Sequence, residues 1–132
     1  MTTEPSGFQS EVVTVFERVG GYPFFEELVE RFYQFVEVDP ILRPIYPKDL
    51  QPGKAHLAAF LAQYWGGPTS YSLQRGHPRL RQRHMAFHIG QTERDVWVAH
   101  MVLAVRSMRV SESETSLMTD YFENAATLLM NH

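Results

Sequence analysis

Apolar side chains recur three and four residues apart along nearly the whole chain, and this spacing constrains the fold more than any other feature of the sequence. A spacing of three and four residues places side chains on one face of an α-helix. The sequence shows neither the period-two alternation of a half-buried strand nor the turn pairs of a β-hairpin. We therefore expect an all-α fold with essentially no sheet.

Glycine and proline residues divide the first half of this helical pattern. The first helix carries Phe8 and Val12 and is expected to end at Gly20–Gly21, because glycine readily adopts the conformation that ends a helix. The next helix has Pro23 in its first turn and a broad apolar arc, so we expect it to be central and largely buried. Four prolines between residues 39 and 52 then predict a tight, stiff connection.

The second half of the chain is divided in the same way. A further helix is expected to end at Gly66-Gly67-Pro68, and residues 66–77 are predicted to form a loop. A short basic helix around residues 78–87 follows, and two longer helices complete the chain. The two double glycines would suit the sharp turns of a two-over-two sandwich of antiparallel helices, but they would also serve as simple helix stops, and the sequence leaves both open.

Size and composition favour one globular domain spanning residues 1–132, with residues 1–7 as a flexible N-terminus. The chain has 44% hydrophobic and 20% charged residues, which is an ordinary globular balance. A net charge of −3 gives no support for binding nucleic acid, and no apolar run approaches the roughly 20 residues of a membrane span. Cysteine is absent and no signal-peptide pattern opens the chain, so we expect a cytoplasmic protein.

Two of the six histidines, His84 and His88, are four residues apart and would share one face of a helix. Such a pair can bind zinc. A zinc site in a protein usually needs a third ligand, however, and this chain has no cysteine to provide it. The spacing by itself is therefore a weak indication of a metal site.

A basic segment leads up to His84, with four arginines and two histidines between residues 75 and 84. It contains no aromatic residues that would stack on bases and no glycine-rich loop that would hold a phosphate. It could instead neutralise the two carboxylates of a haem while one histidine binds the iron. From the chemistry alone, a solvated basic face is the favoured interpretation.

The residues around this segment closely resemble the truncated haemoglobins of group II. The resemblance is carried by Gln63-Tyr64-Trp65-Gly66-Gly67-Pro68, Tyr71-Ser72, the run from Gln74 to Arg81, and Arg83-His84. Flanking matches are Arg31-Phe32-Tyr33, Asp39-Pro40, Leu42-Arg43, Tyr46-Pro47 and the run from Glu93 to Trp97. The resemblance covers residues 16 to 130, and its central stretch is long and contiguous, which makes it specific.

This resemblance implies a two-over-two α-helical globin fold with one haem b, held by His84 as the protein ligand to the iron. The other ring nitrogen of His84 would donate to a backbone carbonyl or a carboxylate. Gly53 matches, loosely, the position at which many globins have a distal histidine. The expected haem-contacting residues also include Leu57 and Phe60 on the haem face, Phe87, and His56, Tyr71, His77 and Arg81 at the propionates and haem edge.

On the distal side, the resemblance implies that Tyr33, Tyr46 and Trp97 donate hydrogen bonds to the bound gas. Such donors predict reversible but slow-releasing binding of O2, and also binding of NO, CO or sulfide. Slow release favours sensing, scavenging or redox roles, including oxidation of NO to nitrate or peroxidase-like chemistry with a separate, unidentified reductase. Exposed apolar residues on the first or last helix would allow a homodimer.

Two other functions remain open at this point. One is a haem-free helical module that binds an anionic partner through the basic segment 75–83. The other is a zinc protein that uses His84 and His88. A colourless purified protein would favour the haem-free module over a haem protein, and a metal analysis would test for zinc.

Overall fold

The computed structural model describes residues 13–132, and this part of the chain is helical without any strand. The expected all-α class is therefore confirmed. In chain order the helices are α1 (Val15–Val19), α2 (Tyr22–Val38), α3 (Gln51–Tyr64), α4 (Ser70–Arg75), α5 (Leu80–His84), α6 (Gln91–Ser107) and α7 (Glu112–Leu128), with a 3₁₀ turn at Arg43–Ile45 between α2 and α3. Phe8, Val12 and the expected flexible segment 1–7 lie outside the described residues.

Helix α1 is short and has a defined cap at each end. The Thr14 hydroxyl accepts a hydrogen bond from the Glu17 N–H, and the Glu17 carboxylate accepts one from the Thr14 N–H. This reciprocal pair satisfies backbone donors that the first turn leaves unpaired. The helix ends where predicted, because Gly20 and Gly21 have φ of 110° and 82°, which lets the chain turn directly into α2.

Helix α2 lies at the centre of the fold. Its apolar face includes Phe25, Leu28, Phe32 and Val36, each fully buried at 0% exposure. These residues are three or four positions apart, so they form one stripe along the helix. Helix α2 packs against α3 and against α6. The prediction that it is central is confirmed, although the helix keeps an exposed charged face at residues 26, 27 and 30.

Two pairs of helices enclose the core. Helix α2 packs against α3, α6 packs against α7, and α2 joins the pairs through its contact with α6. Only residues 108–111 connect α6 to α7, so these two helices run antiparallel. The second pair contributes Met101, Ala104, Met118 and Phe122 to the core. This is the two-over-two arrangement that the resemblance implies.

The second double glycine is a point of close approach as well as a helix stop. A Cβ atom on Gly67 would lie 2.6 Å from the ring of Phe16, and one on Gly66 would lie 2.6 Å from the Thr14 Cβ. The Phe16 N–H also donates to the Trp65 carbonyl at 2.9 Å. The second double glycine is therefore more than a helix stop. It allows α1 to pack against the end of α3, where a side chain on either glycine would clash.

The segment predicted as a loop, residues 66–77, contains the short helix α4. Gln63 holds Ser72 through two hydrogen bonds: its amide donates to the Ser72 hydroxyl at 2.7 Å and its oxygen accepts from the Ser72 N–H at 3.0 Å. Tyr71 is buried against Phe60, with 5.4 Å between ring centroids. A helix of six residues is too short to show a periodic pattern, so the prediction was wrong here for lack of a local signal.

Among the described residues, no helix is both long enough and apolar enough to cross a membrane.

Candidate functional site

A cavity of about 450 Å³ opens between the two helix pairs. Six of the residues singled out in the sequence line it: Tyr33, Tyr46, Gly53, His84, Phe87 and Trp97. Most of the other lining residues are apolar and come from the connection between α2 and α3, the segment after α5, and the end of α7; the charged ones are Arg75, Glu93 and Arg94. A mostly apolar cavity of this size with a few polar groups is typical of small-molecule and cofactor sites.

His84 lies at the C-terminal end of α5, on one wall of the cavity. Its Nδ1 atom is 2.6 Å from the carbonyl oxygen of Leu80. A carbonyl oxygen only accepts hydrogen bonds, so Nδ1 carries a proton, and in the neutral ring Nε2 has the lone pair. An imidazole oriented in this way is suited to bind a metal through Nε2.

Asn131 holds the segment that follows His84. Its side-chain amide donates to the carbonyls of His84 at 3.2 Å and Phe87 at 2.7 Å. Its side-chain oxygen accepts from the Ile89 N–H at 2.9 Å, and its own N–H donates to the Ile89 carbonyl at 2.9 Å. Sequence reasoning missed Asn131, which lies 47 residues from His84 and next to the last position of the sequence.

A polar wall of the cavity is formed by two tyrosines and a tryptophan. The Trp97 indole N–H donates to the Tyr46 hydroxyl oxygen at 3.1 Å, and the rings of Tyr33 and Tyr46 meet edge-on with centroids 5.7 Å apart. Burial raises the pKa of Tyr33 to about 12. Burial also raises the pKa of Tyr46, with the neighbouring Tyr33 adding to the effect. Both phenols are therefore protonated at neutral pH and can donate hydrogen bonds into the cavity.

Gly53, near the start of α3, allows the Tyr33 hydroxyl to occupy its position. A Cβ atom on Gly53 would lie 2.7 Å from the Tyr33 oxygen, closer than such atoms can approach. The absence of a side chain at Gly53 therefore leaves room for the Tyr33 hydroxyl and keeps the adjacent cavity open.

Arg75, at the end of α4, brings an unsatisfied positive group to the cavity. Its Nε is buried and has no hydrogen-bond partner among the described residues. One of its terminal nitrogens lies 3.3 Å from His56 Nε2, and burial together with the charge of Arg75 lowers the pKa of His56. A buried guanidinium nitrogen without an acceptor is costly, so the site fits an anionic group such as a haem propionate. Sequence reasoning placed Arg75 in the basic segment but did not select it as a site residue.

The remaining expected contact residues are not among those that line the cavity. Leu57 and Phe60 are partly buried against the hydrophobic core, and Tyr71 is buried beside Phe60. His77 and Arg81 are exposed. The His77 ring accepts from the Arg79 N–H at 3.0 Å, while the Arg81 guanidinium donates to carbonyls near the C-terminus, including Met130 at 3.1 Å.

The two histidines of the zinc alternative do not share a helix face. Helix α5 ends at His84, and His88 lies beyond it with its exposed ring stacked on His132, 4.0 Å between centroids. Within residues 13–132, no group of three or more metal-binding side chains is arranged to hold a metal ion.

Comparisons with known proteins agree with this architecture. A family model described as bacterial-like globin matches residues 14–131. Group 2 truncated hemoglobin YjbI of Bacillus subtilis is 41% identical over 81 residues, which is 61% of this chain and 61% of that relative. The haemoglobin of Chloroflexus aurantiacus is 49% identical, with a TM-score of 0.90, 92% of this chain covered and 100% of that chain. The truncated oxygen-avid haemoglobin of Bacillus subtilis is 32% identical, with a TM-score of 0.85 and coverages of 90% and 100%.

A two-over-two helical fold with an apolar cavity between a histidine and hydrogen-bond donors is the architecture of a truncated globin. The chain belongs to the bacterial-like globin family. Its resemblance to the group II truncated haemoglobins is confirmed by the relatives above. Membership of this family implies a haem cofactor and the binding of small gaseous ligands.

Proposed function

We propose that this protein binds O2, and also NO, CO or sulfide, reversibly at a haem b in the cavity, with His84 as the protein ligand of the iron. The observation that carries the proposal is the arrangement of one cavity with His84 on one wall and the Tyr33 and Tyr46 hydroxyls on another. Haem supplies the iron at which a gas binds. His84 would hold the iron through its Nε2 lone pair, and the tyrosine hydroxyls would donate hydrogen bonds to the gas.

The distal donors have different tasks in this proposal. The Trp97 N–H is used by the Tyr46 oxygen, which leaves the Tyr46 proton free to point into the cavity. Trp97 therefore orients Tyr46, while Tyr33 and Tyr46 donate to the gas. A hydrogen bond to a charged acceptor contributes about 1.5–3 kcal/mol, and each 1.4 kcal/mol is about tenfold in affinity. Two donors thus support slow release.

Arg75 is the side chain best placed to hold a propionate, since its Nε is buried beside the cavity and unsatisfied. His56 and Tyr71 adjoin Arg75 and would complete that end of the site. Phe87 lines the cavity and would make apolar contacts with the porphyrin. Porphyrin contacts of Leu57 and Phe60, and a place for His77 and Arg81 at the outer rim, remain predictions from the family resemblance.

Slow release favours sensing, scavenging or redox chemistry over delivery of oxygen. We propose oxidation of NO to nitrate by O2, or reduction of peroxide, as the redox roles. Both need electrons from a separate reductase. A cytoplasmic location and a homodimer remain predictions from the sequence.

The test is an absorption spectrum of the protein expressed with haem supplied. We expect a Soret band in the globin range, with changes on reduction and on adding O2, CO or cyanide. His84→Ala should abolish specific haem binding. His88→Ala, at the exposed histidine beyond the end of α5, should retain it and is the matched control. A colourless wild-type protein, or unchanged haem binding in His84→Ala, would contradict the proposal.

The alternative of an anionic partner at residues 75–83 has less support. Arg81 and Arg83 donate to backbone carbonyls, so these donors are already engaged within the fold, and the unsatisfied Nε of Arg75 lies beside the cavity, where the proposed haem would use it. Salt-dependent binding of polyanions by a haem-free protein would favour the alternative.

A further inference from the structure

Asp39 and His100 form a pair outside the cavity that the proposed function does not use. Asp39 follows the last residue of α2, and His100 lies in α6, 61 positions away in sequence. One carboxylate oxygen of Asp39 accepts from the N–H groups of Ile41 at 2.8 Å and Leu42 at 3.0 Å. The other lies 2.7 Å from His100 Nε2.

The surroundings of His100 show which ring nitrogen donates the hydrogen bond to Asp39. Its ring stacks on Phe35, with 5.0 Å between centroids and 5° between planes. Its Nδ1 is buried with no hydrogen-bond partner among the described residues. A carboxylate only accepts, so Nε2 donates to Asp39, and this single hydrogen bond anchors the imidazole. Among residues 13–132, Asp39 is the carboxylate within 4.0 Å of a ring nitrogen of His100.

The connection that begins at Asp39 is braced along its length. The Arg43 guanidinium donates to three successive carbonyls, those of Tyr46 at 3.3 Å, Pro47 at 3.0 Å and Lys48 at 3.0 Å. With the 3₁₀ turn and its prolines, this makes residues 39–48 a stiff unit. We therefore expect a displacement of Asp39 to move Tyr46 as well.

The same connection touches α6 at a second point. Trp97 lies one turn before His100 and donates to the Tyr46 hydroxyl at 3.1 Å. Two hydrogen bonds, Asp39 to His100 and Tyr46 to Trp97, thus join one stiff segment to one turn of α6. Two attachments fix the register of the segment against the helix more closely than one would.

We propose that His100 is a positioning residue: through Asp39 it holds the 39–48 segment so that the Tyr46 hydroxyl meets Trp97 and faces the cavity, and it thereby sets the rate of gas release. The effect on release rests on the proposed function. The effect on the Tyr46–Trp97 contact does not.

The first test compares His100→Leu with His100→Gln in the haem-loaded protein. Leucine removes the donor, whereas glutamine can place an N–H near the position of Nε2. We expect His100→Leu to speed O2 release by about threefold to tenfold, the effect of weakening one hydrogen bond, and His100→Gln to restore a rate close to wild type. Equal rates in all three proteins would overturn the proposal.

A double-mutant cycle separates positioning from general loosening of the fold. If His100 acts through Tyr46, His100→Leu should cause no further acceleration in a Tyr46→Phe background. An equal acceleration in both backgrounds would show that His100 acts by another route. Should His100→Leu fail to fold, Asp39→Asn weakens the same contact, since its side-chain oxygen can still accept from Ile41 and Leu42.

An independent measurement does not depend on gas binding. The chain has two tryptophans, so the indole N–H resonance of Trp97 can be assigned with Trp97→Phe. His100→Leu should shift this resonance and speed its exchange with solvent, and Trp65 should be unaffected. An unchanged Trp97 resonance would overturn the proposal even if haem binds. A protein without a Soret band would refute the proposed function and still allow this measurement.

Discussion

Tyr33 and Tyr46 have the same functional group but are held in different ways. The Tyr46 hydroxyl accepts from Trp97, while the Tyr33 hydroxyl lies in space left by Gly53. Phenols are good donors here because their rings keep the wall apolar while their hydroxyls reach the cavity. The positions of the two hydroxyls thus depend on one aromatic partner, Trp97, and on the missing side chain of Gly53.

Removing the Tyr33 hydroxyl should speed release of O2. Tyr33→Phe keeps the ring and removes the donor, so we expect the release rate to rise by about tenfold or more, the equivalent of about 1.4 kcal/mol or more. Stopped-flow displacement of O2 by CO measures this rate. Tyr64→Phe, at a tyrosine that is 54% exposed and not among the residues that line the cavity, is the matched control. Identical rates for Tyr33→Phe and wild type would remove Tyr33 from the distal site.

Gly53→Ala should also speed O2 release, because the added methyl group displaces the Tyr33 hydroxyl. Its Cβ would lie 2.7 Å from the Tyr33 oxygen, and the hydroxyl must move to relieve the contact. We therefore expect faster O2 release in Gly53→Ala. In a Tyr33→Phe background the added methyl group meets only the ring at ordinary distance, 3.7 Å from its nearest carbon, so the alanine should then change the rate little. Equal effects in both backgrounds would contradict this explanation.

At the scale of elements, the site depends on segments that are not themselves long helices. Tyr46 belongs to the connection between α2 and α3, and His84 ends the five-residue helix α5. Helices this short are not stable alone, so their positions come from contacts with the rest of the fold. Arg43 holds the first segment, and Asn131 holds the second.

Asn131→Ala should loosen the segment that carries His84. The substitution removes three side-chain hydrogen bonds, to His84, Phe87 and Ile89. Because these bonds keep the segment after α5 in place, we expect faster loss of haem to an acceptor apoprotein. Asn124→Ala, in α7 and exposed, is the control and should keep the wild-type rate. Unchanged haem loss in Asn131→Ala would show that α5 is held by other contacts.

The whole molecule creates the cavity by bringing the two helix pairs together. Tyr33 and Gly53 come from the first pair, Trp97 and Ala126 from the second, and His84 from the segment between the pairs. No single one of these elements contains the site by itself. Formation of the binding site therefore requires both helix pairs to be in place.

Burial of the tyrosines should make the folded protein sensitive to alkaline pH. The pKa of Tyr33 is about 12 in the fold, against an ordinary value of about 10 in an unfolded chain. The unfolded chain thus loses this proton first, so stability is fully present below about pH 10 and falls as the pH rises towards 12. The fall is at most about 1.4 kcal/mol per pH unit for this group.

Urea unfolding at several pH values between neutral and alkaline measures this dependence. Tyr33→Phe removes one titrating group, so its free energy of unfolding should fall less steeply above about pH 10 than that of wild type. A fall of the same steepness in both proteins would show that the burial of Tyr33 does not contribute.

The amino-acid sequence by itself determined the local features of this protein. Gly20–Gly21 ends α1, Pro23 starts α2, and apolar spacing defines the long helices, because capping, fixed φ angles and periodicity act within a few residues. The family resemblance added the expected ligand His84 and the distal residues, which the residues alone did not single out. The helix signals and the family resemblance can both be read from the order of the residues. Neither requires knowledge of which side chains distant in sequence are in contact.

Only the tertiary structure decided the contacts between residues distant in sequence. It showed that α4 is a helix held by Gln63, that Arg75 brings an unsatisfied donor to the cavity, and that Asn131 holds the segment after His84. It also paired Asp39 with His100. These features leave no local pattern, since each depends on where packing of the two helix pairs places a side chain. The sequence determines which polar side chains the protein has, and the packing of the two helix pairs determines which of them come into contact.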